Sequence, residues 1–83
     1  MSFDIRWTSA SRKFLRKIPS VISKNIVQKI YALSDNPFRF LKHFEGDGYK
    51  LRIGGYRALI DVDSSKKILV VRIVDKRGRI YKR

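Results

Sequence analysis

Basic side chains recur at every second position around one short turn of the sequence. Lys50 and Arg52 precede the dipeptide Gly54-Gly55, and Arg57 follows it. If a two-residue hairpin closes at the glycines, residue 52 lies directly opposite residue 57, and Lys50 lies diagonal to Arg57. Because the planar fork of an arginine grips phosphate with two parallel hydrogen bonds, such a cluster is suited to binding a phosphate. The alternative is a solvated sheet face that happens to be basic.

Two more candidates lie in the basic tail that follows the last apolar segment, namely Arg77 and Tyr81. A tail that runs beside the hairpin would bring both to the same face as the cluster. A tyrosine there could stack on a base or donate its hydroxyl to a phosphate. Taken alone, an arginine and a tyrosine in a tail are more typical of an ordinary surface than of a site.

Other chemically capable residues are less promising. His43 is the single histidine and has only Glu45 as a nearby carboxylate, so we expect it to lie in a loop or to contact RNA rather than to catalyse. Asp61 and Asp63 would share one side of a strand end. A role in capping the following turn is favoured over a metal pair.

Length and charge restrict the classes of function. The chain has 83 residues and carries 20 Lys+Arg against 7 Asp+Glu, a net charge of +13. We expect one domain over residues 1–83 and a polyanionic partner, with nucleic acid first and an anionic membrane surface second. The lack of cysteine excludes disulfides and thiol chemistry, and no metal or cofactor is expected. No apolar run approaches the ~18 residues of a membrane span, and residues 1–7 do not resemble a secretory signal, so a cytoplasmic protein is expected.

Further basic residues lie on a predicted helix face, in the segment after residue 37 and in the tail. They either contact an extended nucleic acid or keep the domain soluble, and the sequence alone does not decide between the two. The candidates for contact are Lys13, Arg16, Lys17, Lys42 and Lys76.

Two helices are predicted before the hairpin, and they are among the elements that must hold it in position. Apolar residues recur at helical spacing over 10–18 and again over 22–33. Thr8-Ser9 offers hydroxyls to cap the first helix, and Pro19 ends it. Ser20 is predicted to cap the second. Two helices joined so briefly form an antiparallel pair.

Strand patterns flank the helices. Residues 3–7, 49–53 and 56–62 alternate with a period of two, and 68–74 is a nearly continuous apolar strand. Residues 38–48 are predicted to be a connecting loop. The order β-α-α-β-β-β predicts an α+β fold, in which a helical hairpin packs on one face of a mostly antiparallel twisted sheet. The predicted core comprises the helix stripes with Leu51, Ile53, Tyr56, Ala58, Ile60, Val70 and Ile73.

The set of motifs, taken in order, resembles the RelE/ParE superfamily of small toxins from toxin–antitoxin systems. Residues 49–57, YKLRIGGYR, are similar to the hairpin motif Y-x-L-R-x-G-x-Y-R of that family. Residues 41–46 are similar to its L-x-G segment, and Arg77 with Tyr81 fits its R-x-x-x-Y tail. The resemblance covers almost the whole chain and implies the same α+β fold.

The resemblance also implies an activity. The RelE branch cleaves messenger RNA in the ribosomal A site without a metal, whereas the ParE branch poisons DNA gyrase and lacks the basic set. This chain carries the basic set. The roles implied are a general base from Lys50 or Arg52, a grip on the scissile phosphate from Arg57, charge stabilisation or leaving-group protonation from Arg77, and substrate stacking or orientation from Tyr81.

Partners are implied in the same way. They are the ribosome with its messenger RNA, and a small acidic antitoxin similar to RelB that joins the toxin in a hetero-oligomer. Lys76 stands where many RelE relatives have histidine. Two alternatives stay open: a ParE-like inhibitor of gyrase, and a non-catalytic module that binds RNA or the ribosome.

Overall fold

A five-stranded sheet with two helices is formed by the residues that a computed structural model describes, 2–45 and 48–76. The strands lie in the order β1-β5-β4-β3-β2. β1 runs parallel to β5, and the sheet is otherwise antiparallel among these residues. The α+β prediction is confirmed. The elements are β1 (Asp4–Trp7), α1 (Ser9–Lys17), α2 (Ser20–Tyr31), a 3-10 turn (Pro37–Arg39), β2 (Lys42–Glu45), β3 (Gly48–Ile53), β4 (Tyr56–Asp63) and β5 (Ile68–Lys76).

The segment predicted as a loop, 38–48, was interpreted wrongly, because it contains the edge strand β2. Lys42 lies opposite Lys50 and His43 lies opposite Tyr49 in the antiparallel pairing of β2 with β3. Four residues are too few for a period of two to stand out in a sequence. A charged residue is also typical of an edge strand, where it discourages pairing with other chains.

The start of α1 is tied to the sheet through one side chain. Thr8 is the N-cap, and its Oγ1 accepts a hydrogen bond from the backbone N–H of Ser11 at 3.2 Å. The same hydroxyl donates to the carbonyl oxygen of Arg72 in β5 at 2.7 Å. The predicted cap is therefore confirmed, and it also fixes where α1 begins relative to the sheet.

The second cap was predicted wrongly. Pro19 occupies the N-cap position of α2, and Ser20 is the first residue of the helix. Proline reaches this position because its ring fixes φ, here −55°, while ψ stays extended at 141°. Its carbonyl oxygen accepts the first hydrogen bonds of the helix, from Ile22 and Ser23 at 3.0 Å.

The core lies between the helices and one face of the sheet. Ile26 and Ile30 of α2, with Leu33 just after it, are almost completely buried. They belong to the same cluster as the inward-facing residues of β3, β4 and β5. The core prediction is confirmed for Leu51, Ile53, Ala58 and Ile60, and Tyr56 packs against the cluster while half-buried.

The core prediction is wrong for Val70 and Ile73, and a β-bulge explains part of the error. Leu59 pairs with Ile73 but Ile60 pairs with Val71, so Arg72 is an extra residue in β5. The bulge shifts the alternation, and Ile73 becomes 42% exposed. Val70 precedes the bulge and points away from the core because Leu69 and Val71 occupy it. A continuous apolar run gives no period from which these faces can be assigned.

Replacing Thr8 tests the link between the cap and the bulge. We expect Thr8→Val to lower the free energy of unfolding by about 1–2 kcal/mol, because it removes the cap and the hydrogen bond to Arg72 at nearly constant shape. Thr8→Ser keeps the hydroxyl and serves as the control. Urea denaturation of both variants measures the difference, and equal unfolding midpoints would show that the hydroxyl contributes no stability.

Candidate active site

The hairpin of β3 and β4 has the predicted register. Arg52 pairs directly with Arg57, and Ile53 pairs with Tyr56 across the turn. Gly54 has a φ of +58°, a conformation that glycine adopts without the strain that a Cβ brings. The glycine pair therefore closes the strands tightly enough to put the two guanidinium-bearing residues side by side.

The cations of the hairpin lie on the sheet face opposite the core. Leu51, Ile53 and Ala58 are buried on one side, so the alternating residues Lys50, Arg52 and Arg57 project from the other. Lys50 and Arg57 are half-buried there, and Arg52 is exposed. The hairpin thus concentrates positive charge where helices do not cover it.

A fourth cation joins this face from β2. Lys42 lies directly opposite Lys50, so the cluster consists of two pairs of like charges, Lys42 with Lys50 and Arg52 with Arg57. Directly opposed like charges destabilise a sheet, by up to about 1 kcal/mol for each pair. A bound phosphate would replace this repulsion with attraction, which is the electrostatic signature of an anion-binding site.

One residue of this face was missed by sequence reasoning. β5 continues through Lys76, and Asp75 lies directly opposite Arg57. The sequence places Asp75 in the basic tail, and it reaches the cationic face because the bulge at Arg72 shifts the alternation of β5. An aspartate opposite an arginine is a favourable cross-strand pair. The only available sequence signal was an acidic residue directly before the basic residues Lys76 and Arg77.

A groove lies at the free edge of β3, where side chains from both faces of the hairpin meet residues of α2. β2 pairs with β3 only as far as Lys50, and the groove of about 600 Å³ opens past that point. One wall comes from the helix and the other from the sheet. The lining residues are Asn25, Gln28, Lys29, Ala32 and Leu33 on the helix side, and Phe40, Lys42, Lys50, Leu51, Arg52 and Arg57 on the sheet side.

The remaining predicted contact residues are dispersed. Lys13, Arg16 and Lys17 of α1 are exposed and do not line the groove. Lys76 is exposed at the end of β5, opposite Tyr56. The predictions for Arg77 and Tyr81 fall outside the residues that the structure describes.

The weaker candidates have structural roles. His43 packs edge-on against Tyr49, with ring centres 5.4 Å apart. Asp63 caps the turn after β4, as predicted, because its Oδ1 accepts hydrogen bonds from Lys66 N–H at 3.0 Å and Ser65 Oγ at 2.8 Å. The hydrogen bond from the Lys66 backbone is the main reason that the pKa of Asp63 is lowered. Among the residues that the structure describes, there is no group of three or more His, Asp or Glu residues that could hold a metal ion.

Comparison with known proteins decides the family. A family model described as the ParE toxin of type II toxin–antitoxin systems matches residues 5–81. The chain belongs to this toxin family. Toxin RelG of Mycobacterium tuberculosis is 31% identical over 87 residues, and the match covers 100% of both chains. Within residues 2–45 and 48–76 of this chain, no helix is both long enough and apolar enough to cross a membrane.

Solved structures of toxins share the fold. The RelBE2 toxin–antitoxin complex of Mycobacterium tuberculosis matches with a TM-score of 0.83 and 28% identity, over 93% of this chain and 100% of the other. The archaeal RelE–RelB complex from Pyrococcus horikoshii matches with a TM-score of 0.80 and 22% identity, over 95% of this chain and 99% of the other. The resemblance to RelE/ParE toxins found in the sequence is thereby confirmed.

The pairing of Arg57 with Asp75 can be tested by a double-mutant cycle. We expect Asp75→Asn to destabilise the unmodified chain by about 0.2–1 kcal/mol, because it removes the carboxylate opposite Arg57. In an Arg57→Ala background the same substitution should have little effect. Urea unfolding at low salt measures both differences, and a coupling energy of zero would show that the two charges do not interact.

Proposed function

We propose that this toxin is an endoribonuclease of the RelE type, which cleaves messenger RNA in the ribosomal A site without a metal and so inhibits translation. The observation that carries the proposal is the cationic face of the hairpin, where Arg52, Arg57 and Lys50 border one groove. A toxin that acts by binding a protein target does not need such a phosphate-binding cluster.

The reaction uses a nucleophile that RNA supplies. The 2′-hydroxyl oxygen attacks the adjacent phosphorus and loses its proton to a base, while the bond from phosphorus to the 5′-oxygen breaks and that oxygen takes up a proton. The products are a 2′,3′-cyclic phosphate and a 5′-hydroxyl end. Extra negative charge on the phosphate oxygens in the transition state is stabilised by cations fixed in advance.

The proposed roles follow the family resemblance. Lys50 or Arg52 is the general base, and Arg57 holds the scissile phosphate. Arg77 stabilises charge or protonates the leaving oxygen, and Tyr81 stacks on or orients the substrate. The half-buried position of Arg57 opposite Asp75 supports its role, since a guanidinium held between neighbours keeps its orientation for two-point contact with phosphate.

The partners are proposed from charge and from the relatives. Complexes of RelE-type toxins with RelB antitoxins are known for proteins of this fold. We infer an acidic antitoxin, similar to RelB, that covers the cationic face and blocks the groove in a hetero-oligomer. We propose that the active toxin is cytoplasmic and contacts the ribosome or RNA through five further basic residues, namely Lys13, Arg16, Lys17, Lys42 and Lys76.

The name of the matching family model favours one alternative, a ParE-like inhibitor of DNA gyrase. That activity requires a protein-binding surface and no phosphate cluster. Under this alternative, removal of the charges of Lys50 and Arg52 leaves growth arrest unchanged.

Cleavage mapping tests the nuclease. We expect primer extension on a defined messenger RNA to show new 5′ ends within codons, only when translating ribosomes are present. Arg57→Ala and Arg77→Ala should each reduce cleavage by at least about 100-fold, the scale for loss of one group that stabilises transition-state charge. Arg6→Ala is the matched control, because it removes the same charge from β1 at the opposite edge of the sheet.

Two outcomes would contradict the proposal. Growth arrest without cleavage would exclude the nuclease and favour a protein target such as gyrase. Full cleavage by both Arg57→Ala and Arg77→Ala would show that the assigned residues are not the site.

A further inference from the structure

The helix wall of the groove presents a kind of chemistry that the proposed cleavage does not use. Asn25 and Gln28 are exposed, lie three residues apart on α2 and line the groove beside Lys29. Residues at this spacing are neighbours on one side of a helix. Each amide side chain offers two donors and an acceptor, so the pair can match the edge of a nucleic acid base.

An exposed aromatic side chain lies at the other wall. Phe40 is 54% exposed and lines the groove, so its ring is accessible to a bound group. The guanidinium carbon of Arg39 lies 5.5 Å from the centre of its ring. Aromatic rings backed by arginine are typical stacking platforms for the bases of single-stranded RNA.

The rest of the groove fits the two halves of a nucleotide. Ala32 is exposed and gives it an apolar surface beside the buried side chains of Leu33 and Leu51. The face of a base can pack against that surface. Lys29 and Lys42 supply positive charge for a phosphate. Its volume of about 600 Å³ lies within the usual range for sites that bind small organic groups, roughly 300–1,000 Å³.

We propose that this groove binds a nucleotide of single-stranded RNA next to the scissile phosphate, with its base stacked on Phe40 and its edge read by Asn25 and Gln28. The inference rests on the proposed function in two respects: that function supplies the scissile phosphate, and a base read at this position would set which codons are cut. The groove is continuous with Lys50, Arg52 and Arg57, so one strand of RNA can occupy both. An acidic peptide would satisfy the lysines, but it would leave the aromatic platform without a stacking partner.

Side-chain amide resonances give a direct test, because the chain has one glutamine and two asparagines. The full-length ¹⁵N-labelled chain, refolded after separation from its antitoxin, is titrated with a six-nucleotide RNA in which every 2′-hydroxyl is methylated to prevent cleavage. We expect saturable shifts of the NH₂ signals of Gln28 and Asn25. The signal of Asn36, which does not line the groove, is the internal control and should not move.

Affinity measurements by fluorescence anisotropy test the stacking platform. Phe40→Ala should weaken binding of the same RNA by about 5- to 150-fold, the range for loss of one stacked base. Phe38→Ala is the matched control, because Phe38 is also exposed, at 48%, but does not line the groove. It should change the affinity by less than about twofold.

The outcomes separate this inference from the proposed function. Absence of RNA binding, RNA binding that leaves Gln28 and Asn25 unshifted, or equal shifts with a polyglutamate peptide would each overturn the nucleotide site. A chain that never cleaves messenger RNA but shifts Gln28 and Asn25 on RNA binding would refute the nuclease and support the groove. If it does cleave, Gln28→Ala should redistribute the cuts among codons, and an unchanged distribution would contradict base reading.

Discussion

Repulsion between like charges is the constraint around which this structure is organised. Lys42 opposes Lys50 and Arg52 opposes Arg57, at a cost of up to about 1 kcal/mol for each pair. The same strands provide the compensation on their other face, where Leu51 is buried and contributes about 1.5–3 kcal/mol. The sheet therefore keeps an unfavourable charge pattern in place because its core is on the reverse side. A polyanion that binds this face should in turn stabilise the small fold.

The groove shows why the hairpin alone does not make the site. Its sheet wall comes from neighbouring strands, but its helix wall comes from α2, which precedes all of those strands in the sequence. The packing of Ile26 and Ile30 into the core sets the distance between the two walls. The buried side of α2 packs into the core, and its exposed side lines the groove. Core packing therefore affects the width of the groove.

The sequence predicts those parts of the site whose geometry is set by residues close together in the chain. The pairing of Arg52 with Arg57 follows from two glycines and a period of two, and the fold follows from the same alternation together with the helical stripes. Asp75 could not be placed, because its face depends on a bulge whose partner is the side chain of Thr8, more than sixty residues away. The wall formed by Asn25 and Gln28 was also missed, since polar residues on a helix surface look alike until the packing of that helix is known. The four residues of β2 were too few to show a period.

The bulge at Arg72 has a consequence that concerns the evolution of the chain. Side chains alternate between the two faces of a strand, so one extra residue reverses the faces of all residues that follow it. Before Arg72 the odd-numbered residues of β5 face the core, and from Ile73 to Lys76 the even-numbered residues do. Loss of that single residue would turn Asp75 towards the core and Val74 towards the solvent, without any change to either. A substitution in β5 therefore alters one position, whereas a deletion within it would reverse the sheet face of every residue on one side of the deletion.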